Sequence, residues 1–134
     1  MLGHQIFRHF KERHDVRVTL RLGPQAYEAY GLFERGSTFY GIDARQTDGV
    51  SQVIAEFRPD ALVNAIGIIK QRAEAKDIIS SLEINSLLPH RIALACRTIG
   101  ARLVHMSTDC VFSGRKGRYC ETDVPDADDL YGRT

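Results

Sequence analysis

The 134-residue chain lacks a membrane-length apolar run, a cysteine framework and an excess of either charge sign. Its longest apolar stretches, Ala61-Leu62-Val63 and residues 65–69, fall far short of the about 20 residues a spanning helix needs. Its start does not read as a signal peptide, because His4, Gln5, Arg8 and His9 interrupt the apolar residues. Cys96, Cys110 and Cys120 form no CxxC pair and no zinc-like spacing with histidine, which argues against a disulfide scaffold and a structural zinc site. Three unpaired thiols suit a reducing compartment, and a soluble cytoplasmic protein is the expectation. With 18 basic against 17 acidic side chains the net charge is +1, which argues against a nucleic-acid or membrane-surface partner. The densest basic segment, Arg115-Lys116-Gly117-Arg118, reads as a solvated loop, with a phosphate contact as the alternative.

A hydrophobic fraction of 43% is enough for one domain with a real core. Along the chain helical and strand patterns alternate, which predicts an α/β fold with a mainly parallel sheet. A helix is expected over residues 2–12, with Leu2, Ile6, Phe7 and Phe10 on one face. Short strands are expected over residues 16–20 and 38–42. A helix capped by Asp48 should run to Phe57 with Val50, Val53, Ile54 and Phe57 inward, and end at Arg58-Pro59. Residues 61–65 read as a strand covered on both faces. Residues 81–99 form a long helical pattern with Leu88, Ile92, Ala95 and Ile99 inward. Pro89 inside it predicts a kink or a fresh start, and Gly100 a stop. A strand over residues 103–106 and a polar segment over residues 107–129 follow.

Ligands in open parallel sheets bind beyond the carboxyl ends of the strands. Three groups fall there: Asp43, Asn64 to Gly67, and Ser107-Thr108-Asp109. Each alone also fits local backbone capping. Thr108 and Tyr131 suggest specific chemistry, since reducing a carbonyl requires a donor to its oxygen and an acid to protonate it. A phenol serves as that acid when a cation, commonly a lysine one helical turn on, lowers its pKa; that position would fall just after Thr134. Taken alone, Tyr131 also fits an ordinary amphipathic surface tyrosine. His4, His9 and His14 recur at spacing five and share no helical face. His90 and His105 have no acidic partner at a diagnostic spacing, so no metal site and no Cys–His nucleophile is expected.

The run Ser107-Thr108-Asp109-Cys110-Val111-Phe112-Ser113-Gly114, followed by Glu121-Thr122-Asp123 and Tyr131-Gly132-Arg133-Thr134, resembles the dTDP-4-dehydrorhamnose reductase branch of the extended short-chain dehydrogenases/reductases. That family's pattern is S-T-D-x-V-F-x-G, E-T-D and Y-G-x-x-K. Residues 58–65, RPDALVNA, are similar to its R-P-D-x-x-x-N-A strand, and Met1-Leu2-Gly3 to the tail of its G-x-x-G-x-x-G loop. The resemblance implies one partial NAD(P)-binding domain over residues 1–134, a Rossmann-type doubly wound parallel sheet. It implies an NADP-dependent reductase of a nucleotide-activated 4-keto-deoxysugar in surface-polysaccharide synthesis, with a homodimer as an option for the full-length protein.

By the same resemblance Thr108 binds the substrate carbonyl and Tyr131 donates the proton. Gly3 lies where the first helix meets the cofactor pyrophosphate, Asp43 approaches the adenine, and Asn64, Ala65 and Gly67 line the cofactor groove. Arg21 stands where NAD-preferring relatives often carry an acid and favours the 2′-phosphate of NADP; a solvent-facing strand end is the alternative. NAD(H) therefore remains the second option. Against the pattern, the first strand, the first two glycines, the lysine after Thr134 and the C-terminal substrate domain are missing. Residues 66–71, IGIIKQ, replace an alanine-rich turn. Two other readings stay open: a sugar-nucleotide epimerase or dehydratase with tightly held NAD, and a non-catalytic cofactor-binding regulatory relative. The chain by itself is expected to be inactive and poorly stable. Oxidation of NADPH by the isolated 134-residue chain with any sugar nucleotide would contradict that.

Overall fold

Residues 2–134 are described by a computed structural model, and along them helices alternate with short parallel strands. In order these are α1 (Leu2–Phe10), β1 (Val18–Leu20), β2 (Thr38–Tyr40), α2 (Thr47–Phe57), β3 (Ala61–Asn64), α3 (Ile78–Ser81), α4 (Leu88–Ile99), β4 (Arg102–His105) and α5 (Leu130–Arg133). Tight 3₁₀ turns occupy Pro24–Tyr30, Arg35–Ser37, Ala73–Lys76 and Asp109–Val111. No helix of the described residues is long and apolar enough to cross a membrane.

The strands form two parallel pairs. β1 lies beside β2 with Val18 opposite Thr38, and β3 beside β4 with Ala61 opposite Arg102 and Asn64 opposite His105. The expected single sheet is thus, among the described residues, two separate two-stranded ladders. Between β3 and β4 the chain returns through α3 and α4, the helical crossover that parallel neighbours require.

The core lies between α2, α4 and one face of the β3–β4 pair. Ile84, Leu88, Ile92 and Cys96 recur every four residues, so they share one helical face, and they bury against Ile54 of α2 and Ala44. Val50, Leu62 and Leu103 pack around them. Side chains alternate across a strand, so Leu62 and Leu103 face these helices while Val63 and Val104 point the other way. Those two are 40% and 39% exposed. The expectation that residues 61–65 are covered on both faces is therefore corrected: helices cover one face, and Asn64 is the buried end of the strand at 2% exposure.

Other differences have local causes. In α1 only Phe7 is buried, stacked on Phe33; Leu2 and Phe10 stay exposed. Helix α2 starts at Thr47 with no side-chain cap, and Asp48 lies within its first turn, where a negative charge still favours the helix dipole. Arg58 leaves the right-handed helical region, as its following proline demands, but enters the left-handed one at φ 49° and closes α2 through its N–H to Ile54. Gly100 ends α4 at φ 76°, as expected, a conformation that costs glycine little. Pro89 falls in the first turn of α4, and the preceding turn, Leu82–Leu87, widens to π-helix, with the Leu88 N–H reaching back to Glu83. Proline has no N–H for the carbonyl four residues earlier and its ring crowds that carbonyl, so a wider turn relieves both problems.

Two stability changes follow. Leu88→Ala, at a position 1% exposed, should cost about 2–5 kcal/mol. Thr38→Val should instead stabilise by about 1 kcal/mol, because the Thr38 hydroxyl is buried without a partner among the described residues. Urea unfolding midpoints check both, and a destabilised Thr38→Val would mean the hydroxyl is satisfied.

Candidate functional site

The carboxyl ends of β3 and β4 are joined side chain to side chain. The Asn64 amide nitrogen lies 3.2 Å from His105 Nδ1, and Asn64 Oδ1 accepts the Ile66 N–H at 3.1 Å. The local capping role open to Asn64 is therefore present, and it shapes the loop that follows. Ala65, Ile66 and Gly67 are exposed along that loop. A side chain placed on Gly3 would meet Ala65 at 3.7 Å, so the start of α1 lies against it.

The π-helical turn holds the same loop from the other side. Asn85 Oδ1 accepts the Ile68 N–H at 2.9 Å and its amide nitrogen donates to the Ile68 carbonyl at 3.1 Å. One side chain thus pairs both backbone groups of one loop residue. Asn85 also donates to Thr134 Oγ1 at 3.4 Å, and the Ser86 hydroxyl donates to the Thr134 carbonyl at 3.0 Å.

Arg21 and Asp43 lie at the carboxyl ends of the β1–β2 pair. Asp43 is bound by Arg45, whose guanidinium contacts both carboxylate oxygens at 3.1 and 2.5 Å and whose backbone N–H adds a third bond at 3.0 Å. These bonds hold the Asp43 carboxyl at about 2, against an ordinary value of 3.8, with Arg21 adding a smaller attraction. Arg21 itself is exposed.

Thr108 and Tyr131 come from two segments pressed together. Thr108 starts the turn Asp109–Val111, and its hydroxyl accepts the Cys110 N–H at 3.2 Å. Tyr131 lies in the first turn of α5, which Asp129 caps through the Gly132 N–H at 2.8 Å. Lys70, from the loop after β3, binds the other oxygen of Asp129 at 2.5 Å, and together the lysine and the N–H lower the Asp129 carboxyl below the usual range. The Arg133 guanidinium donates to the Ala127 carbonyl at 2.8 Å, while the Ala127 N–H donates to Val111 at 3.0 Å. Beside α5 opens a recess of about 360 Å³ bordered by Val111, Pro125, Asp126 and Arg133.

The segment between them is ordered by its own charges. Asp126 accepts the Ser113 N–H and hydroxyl, both at 2.7 Å, and Phe112 stacks on Tyr119 at 4.4 Å. Arg115 pairs with Asp128 at 3.3 Å and Lys116 pairs with Asp123. Two cations of the basic run are thus matched within this segment.

Of the residues singled out from sequence, three groups form: Gly3 with Asn64, Ala65 and Gly67; Arg21 with Asp43; and Thr108 with Tyr131. The first and third are linked through Lys70–Asp129 and Asn85–Thr134. Sequence reasoning missed Asn85, Lys70, Asp129 and His105. A signal existed for Asn85, an amide four positions before Pro89 and next to the apolar Ile84 of the core face.

Parallel strand pairs with these groups at their carboxyl ends define a Rossmann-type α/β protein. The family model for the RmlD substrate binding domain matches residues 1–134, and the chain belongs to that family. It is 35% identical over 104 residues to the dTDP-4-dehydrorhamnose reductase of Escherichia coli K12, covering 76% of this chain and 34% of that one. It is 27% identical over 136 aligned positions to the methionine adenosyltransferase 2 subunit beta of Bos taurus, covering 100% and 37%. The chain thus spans about a third of the length of these curated relatives. Among solved structures, the dTDP-4-dehydrorhamnose reductase of Bacillus anthracis in complex with NADP superposes with a TM-score of 0.65 at 24% identity, over 88% of this chain and 45% of that one. The ADP-L-glycero-D-manno-heptose-6-epimerase of Helicobacter pylori gives 0.80 at 14%, over 99% and 44%. At such identities the likeness is one of fold.

The Asp43–Arg45 pair carries a pH signature. A carboxyl lowered on folding stabilises the fold above its ordinary value of 3.8, and that contribution is lost as pH falls from there toward about 2. Arg45→Ala should return the Asp43 titration toward its ordinary value, read by carboxyl NMR; a titration still near 2 would assign the shift to another group.

Proposed function

We propose that the protein to which this chain belongs is an NADP(H)-dependent reductase of a nucleotide-activated 4-keto-deoxysugar, acting in surface-polysaccharide synthesis. The observation that carries the reading is the packing of the Thr108 turn on the Tyr131 helix, with the loop after β3 tied to that helix. The two hydroxyl groups needed to handle a carbonyl oxygen are supplied by neighbouring segments, beside a loop suited to a dinucleotide. Bound NADPH would supply the hydride to the carbonyl carbon. The Thr108 oxygen accepts from the Cys110 N–H while its hydroxyl donates to Asp109 Oδ1 at 3.4 Å, a long bond that it exchanges for one to the substrate oxygen. Tyr131 gives its proton to that oxygen as negative charge develops there, leaving an alcohol and a phenolate to be reprotonated from water.

The residues near the dinucleotide fit the group. The first N–H groups of α1, beginning beside Gly3, have no partner within a helix and attract a pyrophosphate. Asn64 holds Ala65 and Gly67 in place to line the groove. Asp43 faces the adenine side with its carboxylate fixed by Arg45, and exposed Arg21 takes the 2′-phosphate of NADP. This reading sets the protein in the cytoplasm, where its three free cysteines stay reduced. A second reading, a non-catalytic cofactor-binding subunit, is favoured by the likeness over the whole chain to a protein named as a subunit of methionine adenosyltransferase.

The deciding assay is oxidation of NADPH by the full-length gene product with dTDP-4-dehydrorhamnose and related keto sugars. Thr108→Val and Tyr131→Phe should each lower kcat/KM by about 10²–10⁴. Arg21→Ala should raise KM for NADPH by about tenfold and leave NADH unaffected. Cofactor binding without turnover on any keto sugar would favour the subunit reading.

A further inference from the structure

Gly132 has no conformational reason to be glycine. It lies inside α5 with an ordinary negative-φ backbone, where alanine would favour the helix more. Its reason is space. A Cβ there would fall 2.2 Å from the Cys110 carbonyl oxygen, 3.2 Å from the carbon bearing it, and 2.5 Å from the Ala127 Cβ. No other described glycine comes close to this: Gly31, Gly36, Gly49 and Gly114, for instance, would meet nothing within 4 Å.

The atoms in the way cannot turn aside, because they are backbone or next to it. The Cys110 N–H is bonded to Thr108 and the Phe112 N–H to the Asp109 carbonyl. Ala127 is held on one side by Val111 and on the other by Arg133. A side chain at position 132 must therefore move α5 as a body.

We propose that Gly132 is a positioning residue for the Thr108–Tyr131 pair. Its bare Cα lets the helix bearing Tyr131 rest on the carbonyl two residues after Thr108, which sets the spacing of the two hydroxyl groups around one substrate oxygen. This rests on reading Thr108 and Tyr131 as the groups that handle the carbonyl. Clearing the Cys110 oxygen requires a shift of roughly an ångström, enough to cost about 100-fold in turnover. Gly3, Asn64 and Arg21 make no direct bond to α5; the links that reach it, an exposed Lys70–Asp129 pair and the bonds of Asn85 and Ser86 to Thr134, should yield before those groups move.

The test compares Gly132→Ala, Gly49→Ala, Thr108→Val and Tyr131→Phe in the full-length gene product. Gly132→Ala should lower kcat about 100-fold and leave NADPH affinity and the sugar KM within about threefold of wild type. Gly49→Ala, whose Cβ meets open space, should leave turnover unchanged. Hydrogen exchange supplies a readout independent of activity. In Gly132→Ala the Asp126 and Ala127 amides, both bonded to Val111, should exchange at least about tenfold faster, with α4 unaffected. Unchanged kcat, unchanged protection, or loss of NADPH binding along with turnover would each overturn the proposal. Full activity in Thr108→Val and Tyr131→Phe would instead bring down the reading beneath it.

Discussion

The stripe of Ile84, Leu88, Ile92 and Cys96 has to bury against α2 and the β3–β4 pair although Pro89 interrupts the hydrogen bonding of the helix that carries it. A regular α-helical turn cannot satisfy both demands. The widened turn Leu82–Leu87 does, keeping Ile84 and Leu88 on the core side. Asn85, next to buried Ile84, then grips both backbone groups of Ile68. The loop beyond β3 takes its shape from Asn64 at its base and Asn85 at its crest, so the core helix and this loop are joined as one unit.

Helix α5 depends on that unit. Four residues are too few to form a stable helix alone, and α5, with no buried residue of its own, is held by bonds to several other segments. Asp129 caps it, Arg133 bonds back to Ala127, Asn85 and Ser86 take Thr134, and Gly132 rests on Cys110. The Lys70–Asp129 pair adds a charge link from the loop after β3, but with side chains 59% and 44% exposed it contributes little energy. Orientation therefore comes from backbone hydrogen bonds and close packing. Tyr131 occupies a position that several segments jointly define.

Much of this architecture was legible along the chain. The period of the apolar residues located α2, α4 and β3 within a few positions, because burial imposes that period directly. Gly100 marked a helix end, and Pro89 a disturbance, through backbone chemistry that acts locally. Motifs around Asn64 and Thr108 marked the carboxyl ends of β3 and β4. Coverage of β3 was overestimated, since an apolar run shows that a strand is buried somewhere but not on how many faces. The cap at Asp48 failed for a similar reason: an acidic residue is favourable anywhere in a first turn, so its presence does not locate the boundary.

Residue types and their spacing determined, without further help, an α/β chain of parallel strands and half of the stripe that forms its core, Leu88 and Ile92, with Ile84 and Cys96 taking the places expected for Ala95 and Ile99. These are short-range consequences of periodicity and backbone preference. Only the tertiary structure decided that Asn64 bonds across to His105, that Asn85 holds a loop 17 residues away and Lys70 a helix cap 59 residues away, and that Gly132 is glycine for want of room. Each depends on which surfaces meet once the core has closed, and no spacing along one chain encodes the distance between two segments that touch only after folding.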